Sequence, residues 1–175
     1  MKMTEDKTNG ELPEFIQGIA TKKSEITQRR AIIKKEYLKL LDRLGKKNGK
    51  DKHFVHNDFL NVDVWIIKRE SEKKASNVSV YNWQSTYAVL HLETIIKKAI
   101  AREGEPIYSL PKNKGKQADF DYCNIAILYY DFVDVEKWYM NFSVKLMLGI
   151  KNNGKYVQYS VLKTEIKNKN TLSST

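Results

Sequence analysis

The chain has 175 residues, of which 41% are hydrophobic, enough to bury the core of one domain. Lysine and arginine total 31 against 21 acidic residues, and the formal net charge is +10. The single cysteine excludes a disulfide framework and a paired-thiol metal site. No stretch approaches the roughly 18 continuous apolar residues of a membrane span, and the polar start lacks a secretory pattern. These features predict a cytoplasmic protein whose basic surface meets an acidic partner, with nucleic acid favoured and no membrane contact.

A basic amphipathic helix and its loop are predicted over residues 22–52, after a flexible leader at 1–21. Between residues 24 and 44, apolar residues recur at spacings of three, four and seven, which predicts one buried stripe, and Gly45 is expected to end the helix. The opposite face is cationic and could follow a phosphate backbone, although a solvated face is the alternative. The candidate nucleic-acid contacts on this face are Arg29, Arg30, Lys34 and Lys35.

An α+β domain is predicted over residues 53–167, followed by a disordered tail at 168–175. Residues 61–68 alternate apolar and polar side chains and are rich in branched residues, which predicts a strand. A polar turn region at 69–80 precedes a helix that Asn82 caps and that runs to about residue 102. Residues 105–122 are predicted to form a long irregular loop.

Three further strands are predicted at residues 123–133, 137–150 and 155–163. An acidic turn at 134–136 and the turn Asn152-Asn153-Gly154 separate them, which indicates an antiparallel meander. Within the second run, alternation places Lys145 on one face of the sheet and Leu146 on the other. The predicted fold is therefore helices packed on an antiparallel four-stranded sheet, preceded by the basic N-terminal helix.

The chain has no glycine-rich phosphate loop, no Gly-x-Ser-x-Gly elbow and no kinase signature, which argues against nucleotide hydrolysis and serine hydrolysis. Its three histidines lack the spacing of a zinc centre, and no metal or other cofactor is expected. The sequence does not argue against metal-independent RNA cleavage. This reaction needs groups that move protons at the 2′-hydroxyl and the leaving oxygen, and cations that stabilise charge on the phosphate.

Two stretches resemble the barnase, EndoU, colicin and RelE-like superfamily of small ribonucleases, in the versions carried by phages and mobile elements. The first is V-D-V-W-I-I-K-R-E-S-E-K-K-A-S-N, residues 62–77, followed by L-H-L-E-T-I-I-K-K-A-I. The second comprises I-L-Y-Y-D-F-V, F-S-V-K-L-M-L-G and Y-V-Q-Y-S-V in the C-terminal half. The resemblance covers about residues 55–166. It implies an active site on the open face of the sheet.

The resemblance implies catalytic positions at the first strand–helix junction, on the central strand and on the last strand. Where mobile-element relatives often show a histidine after the lysine pair, this chain has Asn77. Lys68 and Arg69, at the end of the first predicted strand, are further candidate nucleic-acid contacts. The candidate catalytic residues are Lys73, Lys74, Ser76, Lys145, Tyr159 and, as a base before that strand, His56.

Three functions follow as expectations. The first is a metal-independent ribonuclease of phage or mobile-element origin, acting on RNA in a bacterial host cytosol. The second is a non-catalytic nucleic-acid-binding or host-takeover protein on the same fold, for which ten tyrosines and three tryptophans offer stacking surfaces. The third is an inhibitor that binds a protein partner through the N-terminal amphipathic helix.

Overall fold

A computed structural model describes residues 23–111, 120–137 and 140–166; the predicted leader and tail lie outside these ranges. Within them the fold is α+β, with four helices and a six-stranded mixed sheet. No described helix is long and apolar enough to cross a membrane. The helices are α1 (Lys23–Asn48), α2 (Glu72–Val78), α3 (Trp83–Leu90) and α4 (Leu92–Lys98). The strands are β1 (Phe54–Asn57), β2 (Val62–Trp65), β3 (Tyr108–Ser109), β4 (Tyr122–Phe132), β5 (Phe142–Lys151) and β6 (Tyr156–Thr164).

The sheet is larger and less regular than the four antiparallel strands that the sequence predicts. Its order is β1-β2-β6-β5-β4-β3, and β2 runs parallel to β6, with Val64 opposite Tyr156. The prediction of a purely antiparallel four-stranded sheet is therefore wrong in strand number and in this pairing. The sequence misses β1 and β3 because these strands of four and two residues are not part of a longer alternating run, unlike β2.

The C-terminal meander is confirmed. β4 pairs with β5 and β5 with β6, each antiparallel, and Gly154 takes a positive φ of 88° in the last turn. A bulge interrupts β6, because Met147 lies opposite Ser160 while Leu148 lies opposite Gln158. Tyr159 is the extra residue at that bulge, a kind of irregularity that re-aims side chains at functional edges.

The predicted helices differ from the structure mainly at their ends. α1 continues through Gly45 to Asn48, and Gly49, with φ 113°, follows its last residue. The helix predicted over 82–102 is two helices, since His91 leaves helical geometry at φ −119° and ψ 25°. Asn82 does cap α3, and its Oδ1 accepts a hydrogen bond from the Ser85 backbone N–H at 2.8 Å.

α4 ends before the predicted limit because the chain turns into the sheet. The backbone is extended at Ala99, and Ile100 then pairs with Tyr129 of β4. α2 lies inside the predicted polar turn region. A helix of seven residues contains too little periodicity to be read from sequence.

All four described helices contribute to one apolar core on one face of the sheet, named here the helix-covered face. The predicted stripe of α1 is part of it, with Ile33, Tyr37, Leu40 and Leu44 buried. The strands supply alternate residues that point to the same side. The central ones are Val144, Leu146, Leu148 and Val161.

Helix α2 and the loops that join it to β2 and α3 cover the part of β6 that β2 does not reach. Three serines bond to the backbone of this edge. Ser71 Oγ donates to the Gln158 carbonyl at 2.6 Å, and Ser79 Oγ donates to the Val161 carbonyl at 2.9 Å. Ser85 Oγ accepts from the backbone N–H of residue 163 at 2.9 Å. These bonds hold α2 at the edge of β6, where its side chains can reach the opposite face of the sheet.

Candidate nucleic-acid interface

The opposite face of the sheet carries a second, aromatic cluster that includes no residue of a described helix. Its buried members are Phe120, Tyr122, Ile125, Val157 and Tyr159. Cationic side chains surround this cluster and continue along the strands. We name this side of the sheet the cationic face, defined by Arg69, Lys74, Arg102, Lys145, Lys151 and Lys155.

Five of these six cations lie over aromatic rings of the face. A cation over a ring is held in place by its electrostatic attraction to the face of the ring. Measured to the ring centres, the pairs are Arg69–Phe120 at 5.3 Å, Lys74–Tyr159 at 4.8 Å, Arg102–Tyr129 at 3.9 Å, Lys151–Tyr122 at 5.3 Å and Lys155–Trp65 at 4.4 Å.

Lys145 is the sixth cation and lies near the middle of the face. It is half-buried on β5, directly opposite Tyr129 of β4 and Leu162 of β6. None of the ion pairs among the described residues involves Lys145. The alternation predicted for β5 is confirmed, because Leu146 is buried in the core on the other side.

Lys74 and Tyr159, two of the candidate catalytic residues, meet on this face. The Lys74 ammonium lies 4.8 Å from the centre of the Tyr159 ring, and partial burial lowers the pKa of Lys74. The Tyr159 ring is 3% exposed and packs edge-on against Tyr122 at 5.6 Å. The structure thus brings Lys74, Tyr159 and Lys145 to one side of the sheet.

Of the other three candidate catalytic residues, two lie on α2 and the third lies on the edge strand β1, where alternation places it on the same face as Trp65. Lys73 is exposed on α2, whereas Ser76 is buried and its hydroxyl has no hydrogen-bond partner in the described ranges. His56 lies in the β1–β2 hairpin at the sheet edge. Its Nδ1 is 2.9 Å from Asp63 Oδ1 and its Nε2 is 2.9 Å from Asn61 Oδ1, and these hydrogen bonds, the one to Asp63 first, raise the pKa of His56.

Two of the four basic residues predicted as contacts on α1 instead hold the fold together. Arg29 is 1% exposed and donates to the Val80 carbonyl at 3.3 Å, and burial lowers its pKa. Arg30 donates from Nε to the Ser76 carbonyl at 3.0 Å. Periodicity put them on the outer face, but α1 also packs against α2, and that contact covers them. Lys34 and Lys35 remain exposed, as does Lys68 after β2.

A buried carboxylate, which the sequence did not single out, organises one end of the cationic face. Glu70 is 2% exposed; it accepts from the Tyr122 hydroxyl at 2.7 Å and from the Lys151 ammonium at 3.0 Å. Lys151 also donates to the Phe120 carbonyl at 3.1 Å. Burial, followed by the bond to Glu70, raises the pKa of Tyr122. Glu70 occupies a polar stretch typical of an exposed turn, and that stretch contains no signal of its burial.

The described residues contain no group of three or more histidine, cysteine or carboxylate side chains that could hold a metal ion. Comparison of the chain with family models, with curated proteins and with solved structures gives no match. The geometry of the cationic face is therefore the main guide to function.

Proposed function

We propose that this protein binds RNA through the cationic face of its sheet. The observation that carries the proposal is the gathering of six lysine and arginine side chains on one face, five of them positioned over aromatic rings. The net charge of +10 supports it, since phosphate contacts supply most of the nonspecific affinity for nucleic acids. The resemblance to the barnase, EndoU, colicin and RelE-like ribonucleases favours RNA, because it implies a ligand on the open sheet face.

The burial of the rings indicates how RNA would be held. Tyr159, Tyr122, Phe120 and Tyr129 are 3%, 6%, 7% and 8% exposed, too little for an unpaired base to stack on them. Their role in this proposal is to fix the cations above them. Binding then depends on phosphates, and we expect strong salt dependence and weak sequence preference.

Metal-independent cleavage of the bound RNA is a second candidate function, favoured by the position of Lys74. Burial lowers the pKa of this lysine, so that its neutral, proton-accepting form is more populated than that of an exposed lysine at the same pH. Lys145, on the same face, would stabilise charge on the phosphate, and Tyr159 is the candidate for a second proton transfer. Ser76 and His56 are left out of this arrangement, because Ser76 is buried on α2 and His56 lies on the edge strand β1.

The test is a gel-shift and cleavage assay with end-labelled single-stranded RNA in EDTA. Lys145→Ala should weaken binding roughly tenfold, equivalent to about 1.4 kcal/mol. Lys163→Ala is the matched control, because Lys163 is exposed on β6 and pairs with core residue Val144, away from the cationic face. Equal losses in the two variants would contradict binding by this face in particular. No shift by the wild type would contradict RNA binding and favour the protein-binding alternative.

The same assay tests cleavage. Turnover by the wild type that is lost in Lys74→Met and Tyr159→Phe, while both variants still shift RNA, would establish the nuclease function. Tyr159→Phe keeps the buried ring and removes only the hydroxyl, so a loss would report on chemistry rather than packing. RNA that is bound but stays intact would restrict the protein to binding.

A further inference from the structure

We propose that Arg102 and Lys145 together form a binding subsite for one RNA phosphate on the cationic face, with Ser143 as a positioning residue. This inference rests on the proposed RNA binding and identifies where a phosphodiester would be held most tightly. Arg102 is in none of the segments quoted for the resemblance to ribonucleases and lies at the end of a predicted helix. The sequence pattern gives it no role.

The position of the Arg102 guanidinium is fixed by two contacts. It lies 3.9 Å from the centre of the Tyr129 ring, and its Nη2 donates to Ser143 Oγ at 2.8 Å. Ser143 is fully buried, and its hydroxyl lies 3.3 Å from the Tyr130 carbonyl, to which it donates. The guanidinium is therefore held over a ring and anchored at one nitrogen before any ligand arrives.

The register of the sheet brings Lys145 next to this guanidinium. Tyr129 lies directly opposite Lys145, and Ser143 precedes Lys145 by two residues on the same face of β5. Side chains at directly opposite positions on an antiparallel pair have Cβ atoms about 5 Å apart. Arg102 touches both Tyr129 and Ser143 and is thus a neighbour of Lys145 across the surface.

Asp131 lies opposite Ser143 on the same face but forms an ion pair with neither Arg102 nor Lys145, so both positive charges remain available to an anion. No described carboxylate forms an ion pair with Arg102 or Lys145, although Asp131 and Glu103 line the groove beside Arg102. That groove has a volume of about 430 Å³ and reaches the guanidinium from solvent. The remaining N–H donors of Arg102 can take two phosphate oxygens in a fork, while Lys145 supplies a point charge.

The alternative use of Arg102 is purely structural, as a clamp between β5 and the chain after α4. If Arg102 were only structural, replacing it would lower the stability and leave the salt dependence of RNA binding unchanged. If Arg102 binds a phosphate, replacing it with alanine would reduce the salt dependence and leave the stability unchanged. For single strands the slope of log affinity against log salt changes by about 0.7 for each phosphate contact.

The experiment measures affinity for a labelled single-stranded oligoribonucleotide at several salt concentrations, together with thermal unfolding. We expect Arg102→Lys to lose about tenfold in affinity, since lysine keeps the charge but not the fork. Arg102→Ala and Lys145→Ala should each reduce the affinity, and their combination should cost less than the product of the single losses, because both hold one phosphate. Ser143→Ala should weaken binding severalfold with an unchanged salt slope, as fits a residue that only positions Arg102.

Lys98→Ala is the control, because Lys98 lines the same groove and is not part of the subsite. Wild-type affinity in both Arg102 variants, combined with a loss in Lys145→Ala, would overturn the subsite and leave RNA binding by the face intact. Independent effects of Arg102 and Lys145 that multiply would also overturn it. Failure of the wild type to bind RNA would instead remove the proposed function on which the subsite rests.

Discussion

The two faces of the sheet are built from alternate residues of the same strands, yet their chemistry differs. Along β5, Val144, Leu146 and Leu148 enter the helix-covered core, whereas Ser143 and Lys145 face the other way. On the first face burial of apolar area supplies stability. On the second, five cations lie over aromatic rings, and the carboxylate of Glu70 pairs with two of them, Arg69 and Lys151. The remaining positive charge of this face favours an anion. Residues of the helix-covered face therefore keep the protein folded, whereas residues of the cationic face are placed to bind a ligand.

The largest expected effect is a loss of stability at the helix-covered face of the sheet. Leu146→Ala removes a fully buried side chain and should lower the free energy of unfolding by about 3 kcal/mol. Met147→Ala, one residue later on β5, removes a half-buried side chain from the cationic face and should cost about 1 kcal/mol. Urea denaturation of both variants measures the difference.

The control for this pair is RNA affinity at a temperature where both variants are folded. Leu146→Ala should bind as the wild type does, since Leu146 points away from Lys145. If the two substitutions destabilised the protein equally, the cationic face would be as tightly covered as the core, and the distinction between the faces would be lost.

A smaller effect is expected at Gly149, where the backbone of β5 passes under the Tyr122 ring. A Cβ at this position would overlap the atoms of that ring. Gly149→Ala must therefore displace Tyr122 and strain its bond to Glu70, at a cost of about 1–3 kcal/mol. Gly45→Ala is the matched control: its Cβ would meet His53 at 3.5 Å, an ordinary contact, and alanine favours the helix.

Thermal unfolding of the two glycine variants gives the comparison directly. Gly45→Ala should be neutral or stabilising by about 0.5–1 kcal/mol, because α1 continues through this residue. If Gly149→Ala left the thermal stability unchanged, the Tyr122 ring and the aromatic cluster of the cationic face could be displaced at little cost. That outcome would weaken the idea that its rings hold the cations in fixed positions.

The sequence predicts the elements whose pattern is long. The stripe of α1, the cap at Asn82, the three strands of the meander and the orientation of Lys145 all follow from periodicity or turn chemistry, and the structure confirms them. The short strands β1 and β3, the parallel pairing of β2 with β6 and the seven-residue α2 depend on contacts between distant residues. No local pattern specifies such contacts.

The candidate site was predictable to a similar extent. Of the six residues that the resemblance implied for one catalytic site, the structure brings three to one side of the sheet, namely Lys74, Lys145 and Tyr159. The other three are separate from them, since Lys73 and Ser76 belong to α2 and His56 to the edge strand β1. Arg29 and Arg30 were predicted on the exposed face of α1, because the periodicity of its apolar residues indicates only one buried side. In the structure α1 also packs against α2, and both arginines donate to backbone carbonyls there. Arg102 and Glu70 were missed because their roles depend on tertiary neighbours, the Tyr129 ring for one and Lys151 for the other.

The smallest expected effect concerns His56, on the edge strand β1. Both ring nitrogens face acceptor oxygens, those of Asp63 and Asn61, and the doubly protonated ring satisfies both. The pKa of His56 is raised above its usual value of about 6.5, and the stabilisation it provides is complete below that pH and is lost as the pH rises through the folded-state pKa. Denaturation midpoints at about pH 5.5 and about pH 8.5 should show this loss in the wild type.

Asp63→Asn should reduce the His56-dependent part of this pH response more than any other single substitution, because the first cause of the raised pKa is the hydrogen bond to the Asp63 carboxylate. Asp58→Asn is the matched control: Asp58 is in the same hairpin but pairs with Lys97 at 3.5 Å and acts on His56 only through its charge. The control should keep most of the response. Since the hairpin lies apart from Lys145, RNA binding by Asp63→Asn should match that of the wild type. A weakened RNA affinity in this variant would extend the interface to the β1–β2 edge and return His56 to the candidate site.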